Sequence, residues 1–306
     1  MQLTGAVAVC DAIEIAVLIL KRDLSIDNLL TEFHAGSKKN ELERQQITEA
    51  LAVGILRSTA CPKGYPFEVS TNMIRLKPSK PLYKPYLFLL MGYCLSHRGM
   101  AVNGPLSDKF RDVFEDFVCW VFRQHGFVAE VLSIPRSSRR LPTQLKPALL
   151  LIKDRLGESG TLQEHKLNAH DNDLDVDVIA TPMRGDRGRG GWPVVLVQCA
   201  TGTVANLKMK MQEIGKTFVS VWEPGFYEVC AIKGGATPDD LIPLTENDWG
   251  RISEDGWVLH RMRLVHMAVN SSSRKCQLPK VVLRVNEDLK AALPNYDWRN
   301  FGKTED

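Results

Sequence analysis

The chain has 306 residues, 44% hydrophobic and 25% charged, which fits a globular protein with a real core arranged as one large domain or two modest ones. A formal net charge of +3 excludes naming a polyanionic partner from total charge alone, so any nucleic-acid case has to come from local patches. The seven cysteines show no C-x-x-C and no zinc spacing, and they read as reduced, mostly buried thiols of a cytoplasmic protein.

The stretch "MQLTGAVAVCDAIEIAVLILKRD" is apolar but lacks a basic leading segment, and Asp11 and Glu14 interrupt it. It reads as a buried helix rather than a signal peptide or membrane span. Apolar positions recur at helical spacing through Ala6–Leu20, Leu24–Phe33 and Leu42–Leu56. Pro and Gly in "TACPKGYPFEVS" break the pattern, "FEVSTNMIRL" suits a short strand or hairpin, and "KPYLFLLMGYCLSH" reads as another buried helix. Residues 1–105 form a helical accessory region for substrate or partner contacts.

From Ser107 to Phe127 the spacing predicts a helix that Ser107 or Asp108 caps and Gly126 ends, with Phe110, Val113, Phe114, Phe117, Val118 and Val121 on its apolar face. A strand follows in "FVAEVLSIPR", then a helix in "LKPALLLIKDRLGESG". Next come "DNDLDVDVIATP" and "WPVVLVQCATG", both read as strands, joined by a Gly/Arg loop. "TGTVANLKMKMQEIGKTF" is helical in pattern, "FYEVCAIKG" and "WVLHRMRLVHM" suit strands, and "VNEDLKAAL" closes the chain as a helix. Residues 106–306 therefore read as an α/β domain with a C-terminal extension.

Alternation along a strand puts Asp173, Asp175 and Asp177 on one face. Three carboxylates so placed repel one another and raise their proton affinities, a penalty that a divalent cation removes. The other reading of this strand is a solvated acidic edge. A buried Gln198 needs hydrogen-bond partners, which a carboxylate-bound metal, its water or the backbone supplies. Lys208, inside the next helix, has the length to reach back towards a phosphate; read singly, it is an exposed helical lysine. Glu115, flanked by Phe114 and Phe117, is either a boundary residue or a ligand.

The ordered set "FEDFVCWVFRQHGF", "DVDVIA" and "VQCATG…K" resembles the PD-(D/E)xK nuclease superfamily, in particular its Mrr-like restriction-endonuclease branch, over roughly Ser107–Ser220. The resemblance implies a mixed central sheet flanked by helices. It implies a metal-dependent DNA phosphodiesterase, an endodeoxyribonuclease of bacterial defence, with Mg²⁺ (or Mn²⁺) as cofactor and DNA as partner. By residue, Glu115 matches the helix glutamate and Asp177 the strand aspartate, with Asp175 as the alternative if the register shifts by two. Gln198 takes the acid-or-amide place. Lys208 stands in for the expected lysine, whose own place holds Ala200. The Cys199 carbonyl completes the metal shell, Gln198 orients a metal-bound water, and Lys208 steadies charge on the phosphate.

Arg136, Arg139 and Arg140 in "PRSSRR", and Arg184, Arg187 and Arg189 in "RGDRGRGG", offer contacts to a nucleic-acid backbone, or else belong to solvated turns. A homo-oligomer or a partner protein of a defence system fits the same picture, and no membrane does. Two other acid-rich motifs fit less well. A nucleotidyltransferase needs a Gly-Ser turn upstream that "GESGTLQEHKLNAHDND" lacks, and a Ca²⁺ loop needs a glycine at its sixth position. With Ala200 in the lysine place, the alternative is a catalytically degenerate nuclease fold that binds nucleic acid or assembles complexes.

Overall fold

The computed structural model describes residues 3–33, 41–97, 104–133, 141–156, 161–167, 173–182, 193–202, 204–214, 216–222, 231–242, 244–270 and 277–295. Helices α1 (Leu3–Leu20), α2 (Ile26–Phe33) and α3 (Glu41–Ala60) pack with a small antiparallel sheet made of β1 (Leu24–Ser25), β2 (Phe67–Val69) and β3 (Met73–Leu76). Helix α4 (Lys84–His97) then lies against α5 (Gly104–Gln124) so closely that a Cβ on Gly92 would stand 2.0 Å from the Phe110 ring. α5 starts at Gly104, so Ser107 and Asp108 lie inside its first turns instead of capping it. Its six predicted apolar side chains are all buried. Gly126 ends this stretch with φ +76°, a conformation that costs glycine little.

The central sheet has the order β4-β5-β6-β7-β8: β4 (Phe127–Val131), β5 (Val178–Pro182), β6 (Val194–Cys199), β7 (Ala231–Ala236) and β8 (Trp257–Leu259). The first three run antiparallel, and β7 and β8 join β6 in parallel, which makes the sheet mixed. Val178, Ala180, Val195, Val197 and Cys199 face the core that contains α5. Ile179, Val194 and Leu196 face the other, with α6 (Leu145–Leu156) and α8 (Lys216–Ser220). The predicted mixed α/β fold with helices on both faces and a helical N-terminal region is what the chain adopts. α7 (Val204–Glu213) crosses the sheet where β7 carries Gly235, whose missing Cβ would stand 2.7 Å from Leu207 and Met211.

Two elements differ from their sequence reading. The acids Asp173 and Asp175 are not on a strand. Asp173 to Val176 form a tight turn, with φ +55° at Leu174 and +59° at Asp175 and a 3.2 Å bond from the Val176 N–H to the Asp173 carbonyl. The Asp173 carboxylate braces it by accepting the Asp175 N–H at 3.1 Å. "WVLHRMRLVHM" is strand only through Leu259, and it continues as α10 (Arg261–Val269) after α9 (Glu246–Ser253). α11 (Lys280–Ala292) is the predicted closing helix.

Charges are buried where α1 and α3 meet the rest of the molecule. The fully buried Arg57 donates to Glu14 Oε1 at 2.9 Å and Asp240 Oδ2 at 2.6 Å, and its Nη2 stands 2.8 Å from Asp11 Oδ1. Arg261 grips both Asp11 oxygens at 2.6 and 3.0 Å, while the Tyr65 and Tyr86 hydroxyls each donate to Glu14 at 2.6 Å. Five ionised side chains out of water persist only because each has charged or hydroxyl partners. No helix among the described residues is long and apolar enough to cross a membrane.

Candidate functional site

A cleft of about 640 Å³ opens at the C-terminal end of β6, between α5 and α7. α5 presents Ser107, Arg111, Asp112 and Glu115 to it, residues spaced so that they share one helical face. The start of β5 brings Asp177, the end of β6 brings Cys199 to Gly202, and α7 brings Asn206, Met209 and Lys210.

The Cys199 peptide is held from both sides. Its N–H donates to Asp177 Oδ2 at 2.6 Å, and its carbonyl accepts from Lys210 Nζ at 3.1 Å. Asp177 is only 8% exposed, so one carboxylate oxygen is committed to a buried backbone donor. Its backbone extends the ladder as well, the N–H donating to Val197 at 3.0 Å and the carbonyl accepting from Leu132 at 2.8 Å. Glu115 accepts the hydroxyl of Ser133, a buried residue just past β4. Arg111 pairs with Asp108 one turn back on its own helix.

Glu115, Asp177 and Cys199 therefore meet in one cleft, and the other expected residues do not join them. Asp175 is exposed in its turn, because two positive-φ residues break the alternation that would have aligned it with Asp177. Gln198 alternates with Cys199 and pairs in register with Gly235, which places it on the sheet face that α7 covers. Its Oε1 is buried with no hydrogen-bond partner among the described residues. Lys208 is half-buried outside the cleft lining, and Lys210 is the helix lysine that reaches the strand end. Leu207 and Met211 dock α7 on the sheet, and at about 100° per residue Lys208 and Lys210 fall on opposite flanks of that contact. The flank facing α5 is set by tertiary packing, so the sequence offered both lysines equally. Ser133 and Arg111 carried no motif, and helical spacing from Glu115 back to Arg111 and Ser107 was the available signal. Arg136, Arg139, Arg140, Arg184, Arg187 and Arg189 lie outside the described residues.

This donor set overturns the expected metal centre. Among the described residues no group of three or more His, Cys, Asp or Glu side chains is placed to hold a metal ion. The Asp177 carboxylate serves the Cys199 N–H, Glu115 serves Ser133, and Asp175 is turned away. The expectation of Mg²⁺ or Mn²⁺ as cofactor is corrected accordingly. The metal-dependent phosphodiesterase, the nuclease and hydrolase activity, and the defence role that rested on cleavage fall with it. No protein family, no curated protein and no solved structure matches the chain.

Proposed function

We propose that the chain is a catalytically degenerate restriction-endonuclease-like fold that serves as a non-catalytic nucleic-acid-binding module. The mixed sheet between helices supports this reading, as does the meeting of a helix glutamate, a strand aspartate and a lysine of the next helix at one cleft. The clamp on the Cys199 peptide carries it: the aspartate and the lysine that chemistry would need are bonded to the backbone between them. Ser107, Arg111, Thr201 and Asn206 line the cleft with groups that can donate to phosphate and sugar oxygens, and the sequence adds the basic stretch "PRSSRR". DNA is preferred over RNA only through the family resemblance.

One observation favours a second reading. The lining carries three carboxylates (Asp112, Glu115, Asp177) against two cations (Arg111, Lys210), and this acidic excess suits a basic segment of a partner protein in complex assembly. Fluorescence anisotropy with labelled duplex DNA, single-stranded DNA and RNA, in EDTA across a salt series, separates the two. The nucleic-acid reading expects binding without metal that weakens with salt and in an Arg136/Arg139/Arg140→Ala protein, with the strand intact after incubation. Absence of binding to all three at low salt leaves assembly, and metal-dependent cleavage ends both.

A further inference from the structure

The central sheet ends at β4 on one side and at β8 on the other, and no further strand flanks either among the described residues. An edge strand presents a row of backbone donors and acceptors to any other strand, a hazard that grows when the edge is apolar. β4 is such an edge: "FVAEVL" (Phe127–Leu132) contains a single charged residue, Glu130.

The direction of its outer groups follows from one bond. The Leu132 N–H donates to the Asp177 carbonyl beside β5, so alternation turns Val128 and Glu130 towards β5 as well, and Phe127, Ala129 and Val131 outward. Ala129 is the middle of that outward row. Arg123, in the last turn of α5, donates from Nε to the Ala129 carbonyl at 2.8 Å. The same guanidinium continues to Glu130, with Nη2 at 3.2 Å from Oε2. Ala129 and Val131 face the core that contains α5, whereas Glu130 alternates onto the α6 face and meets Arg155 of α6 at 3.1 Å. Arg123 therefore wraps the sheet edge from one face to the other. At the far edge the Thr237 N–H donates to the Leu259 carbonyl, which turns Val258 outward, and Arg263 Nη1 donates to the Val258 carbonyl at 2.9 Å. The middle outward carbonyl of each edge thus holds an arginine.

We propose that Arg123 is a guard that keeps β4 from pairing with β4 of a second copy of the chain. The pairing it prevents is antiparallel and two-fold, with each Ala129 opposite the other. That register uses the outward row and needs the carbonyl that Arg123 occupies. β8 has one outward residue and its own arginine, so the assembly closes at two chains. The inference is independent of the function assigned to the cleft.

Light scattering after size exclusion tests it, across roughly 1–100 µM of the full chain, the range of a weak interface. Towards the upper end Arg123→Ala is expected to have twice the wild-type mass at the same concentration. Ala129→Pro added to Arg123→Ala is expected to restore the wild-type mass, since proline removes the outward N–H that the pairing needs and no ladder bond to β5. Equal masses for Arg123→Ala and wild type throughout overturn the proposal, as does a doubled mass that survives Ala129→Pro, or growth past two chains. Should either variant not fold, hydrogen exchange of the wild type decides. Fast exchange at Ala129 and Val131 beside slow exchange at Val128 and Glu130 supports the guarded edge, and slow exchange at all four overturns it.

Discussion

At the scale of single residues, the cleft is organised around one peptide unit. Removing the Asp177 carboxylate leaves the buried Cys199 N–H without its acceptor, which costs about 1–3 kcal/mol. An amide in its place still accepts that bond but without charge, so Asp177→Asn loses about 1 kcal/mol and Asp177→Ala more. Urea unfolding of the three proteins checks the order. Millimolar Mg²⁺ or Mn²⁺ leaves the wild-type midpoint where it is, since a ligand stabilises only what it binds. A rise with metal, lost in Asp177→Ala, would falsify the structural role given to this carboxylate.

Among elements, the turn from Asp173 to Val176 separates what the sequence shows from what it hides. "DLDVDVI" alternates acid and apolar residues like a half-buried strand, and nothing in that pattern signals positive φ at Leu174 and Asp175. The two readings respond oppositely to substitution. A strand favours valine at position 175, whereas a left-handed residue disfavours it by about 1–2 kcal/mol. Asp175→Val is therefore destabilising by that amount and Asp175→Gly neutral or stabilising by up to about 1 kcal/mol, as thermal unfolding reads out. Asp175→Val more stable than Asp175→Gly would return the segment to the strand. α10 escaped notice for a related reason. Its buried set is Arg261, Met262, Leu264, Val265 and Ala268, and an arginine at the first buried position counts as polar in any periodicity. α5 and β6 are legible because their apolar faces are unbroken, and their order brings Glu115 and Cys199 to one cleft, though not to a metal centre. Lys210 is not legible as the lysine that reaches the strand end, because the choice between two helix flanks lies in packing.

For the molecule as a whole, the buried ionic cluster ties α1 and α3 to Asp240 and Arg261, about 180 to 250 residues away in sequence. Burial by itself would raise the proton affinity of Asp240, but Arg57, then His260 and Arg261, outweigh it and hold the carboxyl far below its ordinary range. Burial and Glu14 push the Tyr65 hydroxyl well above its ordinary value, and burial does the same for Tyr86. The signs of the pH dependence follow. A depressed carboxylate contributes stability in full above the unfolded value near 4, and this is lost as pH falls, because the unfolded chain takes up a proton that the folded chain refuses. A raised tyrosine contributes in full below about pH 10 and is lost above it, because the unfolded chain releases a proton that the folded chain keeps. Urea midpoints between pH 3 and 11 should thus show a plateau with a fall at each end. Asp240→Asn lowers the plateau and flattens the acid fall, and Tyr86→Phe flattens the alkaline fall by about 1.4 kcal/mol per pH unit for the one proton removed. Arg57→Met leaves Asp11, Glu14 and Asp240 facing one cation fewer and costs about 3–5 kcal/mol at neutral pH. That loss shrinks as the pH is lowered, since protonating the stranded carboxyls relieves it. An acid limb of equal slope in wild type and Asp240→Asn would mean that the cluster does not hold its charges in solution.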